Sequence, residues 1–250
     1  NLKLSNNNLM LATLIRKITG NHLVMSGLYK GVSGLSLFIS IPILIHYLGD
    51  TDYGLWVLVF ALFQWVLLLD FGLASVLKTK VPILIHENRK DLLKSYLKST
   101  YTITAYIALF LFVFFLVLIF VIDLKTFLKI PVHSSIFVKK LFAINMFFFC
   151  LNFLFNVHKS LFVAFLKGKY AEQSIAVNQI LFLASLGVLI LIAPNIPIEN
   201  KLMIITLLNG LSCFLVNFLY TLFFFYLEKL NLKTTVKTSK EFLKEIIILG

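Results

Sequence analysis

The sequence predicts an all-α polytopic membrane protein, and three observations lead to this class. Hydrophobic residues make up 60% of the 250 residues, whereas soluble domains average about 45–50%. The chain contains 26 phenylalanines and has a mean hydropathy of +0.94. Apolar runs of roughly 20 residues, the length needed to cross a bilayer, recur along it. Backbone groups in lipid must be hydrogen-bonded within their own segment, so these runs are predicted to be helices.

Six membrane spans follow from the hydropathy pattern. In chain order they lie near residues 22–47, 54–77, 100–122, 141–166, 174–193 and 202–227. The connections are too short for a catalytic or nucleotide-binding domain, and the sequence has no GxxxxGK[ST] motif. Cys150 and Cys213 lie in apolar runs without metal-binding spacing, so neither a metal nor a cofactor is expected.

The distribution of Lys and Arg predicts the direction of the spans. Of the 23 basic residues, 17 lie on the side that includes the N-terminus, five lie on the opposite side and one, Lys30, lies within a span. Cytoplasmic loops carry the excess of basic residues, so the N-terminus is predicted to be cytoplasmic. The lysines of loop 123–140 run against this pattern without reversing it. The net charge of +12 is therefore attributed to topology, and membrane lipids rather than nucleic acid are the expected partners.

An aspartate, Asp70, lies within the apolar stretch WVLLLDFGLAS of span two. Spans one and two form a hairpin around YLGDTDYG, and Lys30 lies about as far before the turn as Asp70 lies after it. The two residues are therefore expected at the same depth, about 10–12 Å from the cytoplasmic helix ends. Three interpretations are open: a structural ion pair, charges that line a substrate cavity, or a lysine that reaches the interface beside a protonated or solvated aspartate.

Span four carries one polar stripe on a helix that is otherwise rich in Phe and Leu. Its members, which are spaced for one helical face, are Asn145, Asn152, Asn156 and Lys159. His158 points nearly the opposite way and is interpreted as a packed or interfacial histidine. The stripe fits either interhelical hydrogen bonds or the wall of a water-filled cavity. A cavity between spans one, two, four and six would be net positive, with Lys30 and Lys159 against Asp70, and would suit an anionic group such as phosphate.

The first hairpin resembles that of bacterial polysaccharide flippases. The family pattern is Tyr-Leu-Gly, then Tyr-Gly-Leu-Trp, then a helix that ends in Asp-Phe-Gly or Asp-Leu-Gly. In this sequence these motifs are Tyr47–Gly49, Tyr53–Trp56 and Asp70–Gly72. The stretch FLKGKYAEQSIAVNQI after span four is similar to the family's glycine-containing cytoplasmic turn. The family comprises the O-antigen and oligosaccharide exporters of the multidrug/oligosaccharidyl-lipid/polysaccharide superfamily.

The resemblance implies a bundle of about 12–14 helices in two lobes around a central cavity, with transport by alternating access. The substrate would be an undecaprenyl-diphosphate-linked oligosaccharide, moved across the bacterial cytoplasmic membrane for surface polysaccharide biosynthesis. Residues 1–232 would form the N-terminal six-helix lobe. Residues 233–250 would form a cytoplasmic linker and the start of helix seven, with a C-terminal lobe beyond this chain. Lys30 and Lys159 would take the part of the family's interior cations, although no arginine offers a bidentate fit to phosphate.

Other classes of function stay open beside the flippase. In a cation-coupled small-molecule exporter of the same superfamily, Asp70 would be the proton or sodium site. Half of an ATP-driven exporter would also have six spans, and a Walker motif later in the protein would identify it. A polysaccharide polymerase or lipid-linked glycosyltransferase would need charged residues clustered on a sizeable loop. The loops are short, and Asp50, Asp52 and Asp123 form no spaced pair, so enzyme activity is not expected.

Overall fold

The computed structural model describes residues 22–68, 72–130 and 133–230, without the side chains of residues 64–68. Asp70, one of the predicted cavity residues, lies outside the described residues. Those residues form nine helices and no strand. Numbered in chain order, the helices are α1 (His22–Leu48), α2 (Asp50–Leu68), α3 (Leu73–His86), α4 (Lys90–Val121), α5 (Leu124–Phe127), α6 (Ser135–Phe155), α7 (Val157–Ala164), α8 (Gly168–Ile192) and α9 (Ile198–Leu227).

Five segments of the described chain are helical, long and apolar enough to cross a membrane. They are α1, α4, the continuous α6–α7 segment, α8 and α9. The predicted all-α polytopic membrane class is therefore confirmed. The predicted second span, 54–77, falls on α2 and the beginning of α3, and residues 69–71 between them are not described.

The helices extend beyond the apolar runs that predicted them. α4 begins at Lys90, whereas its predicted span begins at residue 100, and Leu93 and Leu97 are already buried in its first turns. α6 begins at Ser135, where the Ser134 hydroxyl accepts a hydrogen bond from the Phe137 amide at 3.2 Å as an N-cap. Hydropathy marks the part of a helix that lies in lipid, while caps and packing determine where the helix ends.

α6 lies at the centre of the bundle and packs against α2, α4 and α9, while α1 and α8 form the most extensive helix pair. Leu141 and Met146 of α6 are fully buried. The ring of Phe63 on α2 lies within 5.6–6.2 Å, centre to centre, of the rings of Phe115, Phe142 and Phe149. Lipid is as apolar as these side chains, so close van der Waals packing holds the helices together rather than exclusion from water.

Buried apolar side chains form two clusters, one on each side of the junction between α6 and α7. The larger cluster joins the end of α1 to α2, α6 and the beginning of α9. The smaller cluster joins α3, the first turns of α4, α7 and the end of α9, and its Phe162 and Phe224 are fully buried. The junction therefore separates two packed units that share the same long helices.

The tyrosine of the YLG motif fixes the turn between α1 and α2. Tyr47 Oη donates a hydrogen bond to Ala193 O at 2.7 Å, beyond the end of α8. Lys201 of α9 donates to Tyr47 O at 3.2 Å, and its Nζ lies 4.3 Å from the centre of the Tyr47 ring. Gly49 follows with a φ of +80°, a conformation that favours glycine. These contacts join α1, α8 and α9 at one end of the bundle.

His133, which lies in the loop before α6, contacts the first turns of α2 and α9 at this end. Its Nε2 lies 2.5 Å from Asp52 Oδ1 in the first turn of α2, and its Nδ1 lies 3.5 Å from Glu199 Oε1 in the first turn of α9. The histidine is buried. Both carboxylates lie at helix N-termini, where the helix dipole favours negative charge. Asp52, which forms no spaced pair with another acid in the sequence, is thus a helix-terminal partner of His133.

Gly210 provides a test of the packing between α6 and α9. A Cβ at this position would overlap the ring and Cβ of Phe148, whereas a Cβ at Gly187 of α8 would meet no atom within 4 Å. We expect Gly210→Ala to destabilise the protein by about 1–3 kcal/mol through overpacking. Gly187→Ala, the matched control, should be neutral or stabilising by up to about 1 kcal/mol. Thermal unfolding of the purified variants in detergent measures both, and equal stability of the two would contradict the described packing.

Asp123 provides a test of the loop between α4 and α6. Its carboxylate accepts hydrogen bonds from Thr126 Oγ1 at 2.6 Å and Ser135 Oγ at 2.8 Å, which hold the pKa of Asp123 below its usual range. A carboxylate whose pKa is lower in the folded than in the unfolded protein stabilises the fold at pH values above its unfolded pKa of about 3.9. This stabilisation is lost as the pH falls through the folded-state pKa.

We therefore expect Asp123→Asn to lower the Tm at about pH 7 and to have a smaller effect at about pH 2.5. Asp91→Asn, at another exposed aspartate, controls for the loss of a surface carboxylate. Differential scanning fluorimetry in detergent gives the Tm at each pH. An Asp123→Asn effect of the same size at both pH values would contradict the hydrogen bonds to the ionised carboxylate.

Candidate functional site

The helix that carries the predicted polar stripe is broken at Asn156, between α6 and α7. At the break the Lys159 amide donates to Asn156 O at 3.1 Å, rather than to the residue four positions earlier. The Phe155 carbonyl instead accepts from His158 Nδ1 at 2.6 Å and from Thr221 Oγ1 of α9 at 3.2 Å. Side chains inserted into a helical hydrogen-bond ladder are a recognised cause of helix kinks.

His158 connects the break to α8. The residue is fully buried, and its Nε2 lies 3.2 Å from Ser174 Oγ, which is itself 2.7 Å from Ala171 O. Because a carbonyl only accepts, Nδ1 must carry the proton that is shared with Phe155 O. In a neutral ring Nε2 can only accept, so Nε2 and the Ala171 carbonyl compete for the single proton of the Ser174 hydroxyl. The interpretation of His158 as a packed histidine agrees with this environment.

The three asparagines of the stripe have different neighbours in the structure. Asn145 Nδ2 donates to Leu141 O of its own helix at 3.0 Å. Asn152 Oδ1 accepts from Asn217 Nδ2 of α9 at 3.1 Å, which is an interhelical bond. Asn156 lines a small cavity of about 60 Å³ against α3 and α4. The three asparagines therefore face three different environments, and only Asn156 lines a cavity in the described residues.

The two predicted cavity lysines, Lys30 and Lys159, interact with the same carboxylate, Glu172 of α8. Lys30 Nζ lies 3.5 Å from Glu172 Oε1 and forms an ion pair with it. Lys159 on α7 interacts with Glu172 only at longer range, without an ion pair among the described residues. The side chain of Lys30 is 68% exposed and that of Glu172 is 24% exposed. With both lysines protonated and Glu172 ionised, this cluster carries a formal charge of +1.

Sequence reasoning missed Glu172 because the hydropathy pattern started span five at residue 174. α8 begins at Gly168, so Glu172 lies just over one turn inside a membrane-crossing helix. A carboxylate near the start of an apolar run is the signal that could have identified it. The predicted partner of Lys30, Asp70, lies outside the described residues.

Lys30 lies on an open face of α1. Gly27, Gly31 and Gly34 share this side of the helix, and a Cβ at any of them would meet no atom of the described residues within 4 Å. Lys30 therefore borders a surface without bulky side chains, which allows a substrate or another helix to approach the α1 backbone closely.

The sequence matches no known family model, no curated protein sequence and no solved structure. Function is therefore inferred from the residues described above and from the resemblance of the first hairpin.

The break gives a prediction for stability. His158→Ala removes one of the two partners of the Phe155 carbonyl and one of the two partners of the Ser174 hydroxyl, and each lost hydrogen bond costs about 0.5–1.5 kcal/mol. His158→Asn should retain part of this stability, because its side-chain amide can donate to the same carbonyl. His46→Ala, at an exposed histidine of α1, is the control. Thermal unfolding in detergent should rank His158→Ala below His158→Asn and His46→Ala; a wild-type Tm for His158→Ala would contradict the network.

Proposed function

We propose that this chain belongs to a flippase that moves a lipid-linked oligosaccharide with a diphosphate group across a bacterial cytoplasmic membrane by alternating access. The observation that carries the proposal is the cluster of Lys30, Glu172 and Lys159 on three membrane helices, open on the side of α1. The resemblance of the first hairpin to polysaccharide flippases supports the same class. In this proposal the chain forms the N-terminal lobe, with its N-terminus in the cytoplasm.

The depth of the cluster supports a polar cavity rather than a lipid-facing surface. Lys30 lies eight residues after residue 22, where the apolar run of the predicted first span begins, which corresponds to about 12 Å along the helix axis. Ionisable side chains at such depth are costly in hydrocarbon, and in membrane proteins they face a bundle interior or water. The open face of α1 is therefore proposed to border the translocation cavity.

The charge of the cluster supports an anionic substrate group. Lys30 is paired with Glu172, and Lys159 lies within longer electrostatic range of the same carboxylate. A phosphate oxygen that replaced Glu172 beside Lys30 would leave the carboxylate near a second ammonium group. Lysine binds phosphate as a point charge with rotatable donors, without the fixed geometry of arginine. Such a site suits a group that must be released again on the other side of the membrane.

The helix break supports a conformational step. Two separately packed apolar clusters lie on the two sides of the α6–α7 junction. A break held by three side-chain contacts gives a membrane helix a point at which it can bend, as alternating access requires. The Lys159 ammonium lies on the short segment that would move with such a bend.

A cation-coupled exporter of small molecules is the second candidate, and Glu172 is the observation that favours it. A partly buried carboxylate on a membrane helix is a site for a proton or sodium ion. In that function Glu172, or Asp70 as the sequence suggested, would bind the coupling ion and Lys30 would regulate its release.

Complementation of a strain that lacks the native exporter gene tests the flippase. The full-length gene is expressed with Lys30→Ala, Lys30→Arg or Glu172→Gln, with Lys140→Ala at an exposed lysine as the matched control. Membrane protein level and surface polysaccharide are then measured. We expect Lys30→Ala to reduce export at least ten-fold, about 1.4 kcal/mol in transition-state terms, while Lys30→Arg retains part of it and Lys140→Ala is unaffected.

The charge swap Lys30→Glu with Glu172→Lys separates a structural pair from a binding site. If the pair only holds α1 to α8, the swap restores both protein level and export. If Lys30 contacts the substrate, the swapped protein inserts but does not export. Normal polysaccharide with Lys30→Ala would overturn the flippase assignment, and cation-dependent dye efflux that is lost with Glu172→Gln would support the second candidate.

A further inference from the structure

A groove runs along the surface of the bundle between α4, α6 and α9. Its volume is about 690 Å³, and its walls are mostly apolar. The helices that form it do not carry Lys30, Glu172 or Lys159, so the groove is separate from the charged cluster. Its lining includes Lys98, Tyr101, Ala105, Leu109, Phe218 and Leu222. We refer to it as the α4–α9 groove.

The length of the α4–α9 groove matches one leaflet of a bilayer. From Lys98 to Leu109 the wall follows α4 for eleven residues, about 16 Å at the rise of an α-helix. The hydrocarbon core of a bilayer is about 30 Å thick, so one leaflet is about half of this. A single acyl chain lying along the groove would therefore reach from the membrane surface to the bilayer centre.

The groove is polar and basic at one end only. Lys90, Lys94 and Lys98 follow one another at intervals of four on one side of the first turns of α4, and the groove begins at Lys98. Lys98 is exposed. Beyond Tyr106 the wall is apolar on both α4 and α9. The pattern is thus cationic where a lipid headgroup would lie and apolar where its chains would lie.

Tyr101 is a second, independent indication of a ligand at the basic end. Its hydroxyl is buried in the groove wall beside the Thr221 hydroxyl, and it makes no hydrogen bond of regular geometry with the described residues. Thr221, another residue of the wall, has a single hydroxyl proton, which the Asn217 carbonyl at 2.8 Å and the Phe155 carbonyl at 3.2 Å share. A buried phenolic hydroxyl normally has a partner, and the phosphate or ester oxygen of a lipid would supply one.

From these observations we propose that the α4–α9 groove is a binding site for an anionic phospholipid, with the phosphate at Lys98 and Tyr101 and one acyl chain along Ala105, Leu109 and Leu222. Basic pockets between membrane helices recognise anionic headgroups in this way. The leaflet is the one at the Lys98 end of α4, which is cytoplasmic in the orientation proposed above. A long polyprenyl chain is a poorer occupant, because the groove has the length of a single leaflet.

The floor of the groove gives the bound lipid a structural consequence. Phe155 and Thr221 line it, and these residues form the hydrogen bond that closes the helix break. A lipid bound in the groove would therefore pack directly against the α6–α7 junction.

Native mass spectrometry of the full-length protein in detergent tests the site, with dioleoyl phosphatidylglycerol and dioleoyl phosphatidylcholine as probes. We expect the first phosphatidylglycerol to bind about ten-fold more tightly than phosphatidylcholine, in line with one or two lysines at the headgroup. Lys98→Ala should lower this preference about five-fold, and Lys98→Glu should remove it. Lys140→Ala and Lys140→Glu, at an exposed lysine of α6, should leave it unchanged.

Filling the groove tests the acyl-chain part of the site. Ala105→Trp should abolish binding of the first lipid, whereas Ala184→Trp, at an exposed alanine of α8, should not. Size-exclusion chromatography checks that each variant is folded, and the Lys98 variants decide the question if Ala105→Trp is not. Equal affinity for the two phospholipids, or equal effects of the two tryptophans, would overturn the proposal. Displacement of phosphatidylglycerol by undecaprenyl phosphate, lost in Ala105→Trp, would assign the groove to a lipid carrier instead.

Discussion

The Phe155 carbonyl has to be hydrogen-bonded in a part of the bundle that excludes water, and the arrangement of three helices depends on how this is achieved. In a regular helix the Lys159 amide, four residues later, would donate to this carbonyl. Here the partners are His158 from the next turn and Thr221 from α9, and His158 is in turn held by Ser174 of α8. One backbone group thus brings α7, α8 and α9 together, because none of these buried polar atoms can turn to water instead.

Charge imposes the second constraint on the bundle. Opposite charges attract strongly where the dielectric is low, and Glu172 provides the negative charge near lysines from α1 and α7. This interaction reinforces the long contact between α1 and α8 from the opposite end to Tyr47, whose hydroxyl binds the Ala193 carbonyl. The pair of helices is therefore fixed at both ends, while the glycine-lined face of α1 stays open beside the charges.

The two exposed faces of the bundle differ in what they can bind. In the proposed function, the face of α1 would hold a lysine within the membrane, where an anionic group could reach it only through a polar cavity. In the proposed lipid site, the face of α4 and α9 would hold its lysines at the membrane surface and its apolar groove within the leaflet. Both surfaces carry lysines. In these proposals, the lysine of the α1 face lies deep in the membrane and those of the α4–α9 groove lie at the membrane interface. The helix break connects the two features along the chain. Lys159 of the charged cluster follows Asn156, and Phe155 of the groove wall precedes it.

The apolar runs of the sequence were enough to establish the class of the protein, although they predicted six spans and five segments of the described residues are long and apolar enough to cross a membrane. The sequence also singled out Lys30 and Lys159 as ionisable residues within apolar helices, and both interact with Glu172. The sequence could not show which groups the polar side chains of these helices contact. Asn145 and Asn152 share a helical face in a regular helix, yet one bonds its own helix and the other bonds Asn217. Which neighbour a side chain meets depends on how helices distant in sequence pack, and on the break at Asn156. Periodicity assumes an unbroken helix, so only the tertiary structure decided the roles of Glu172, His158 and Thr221.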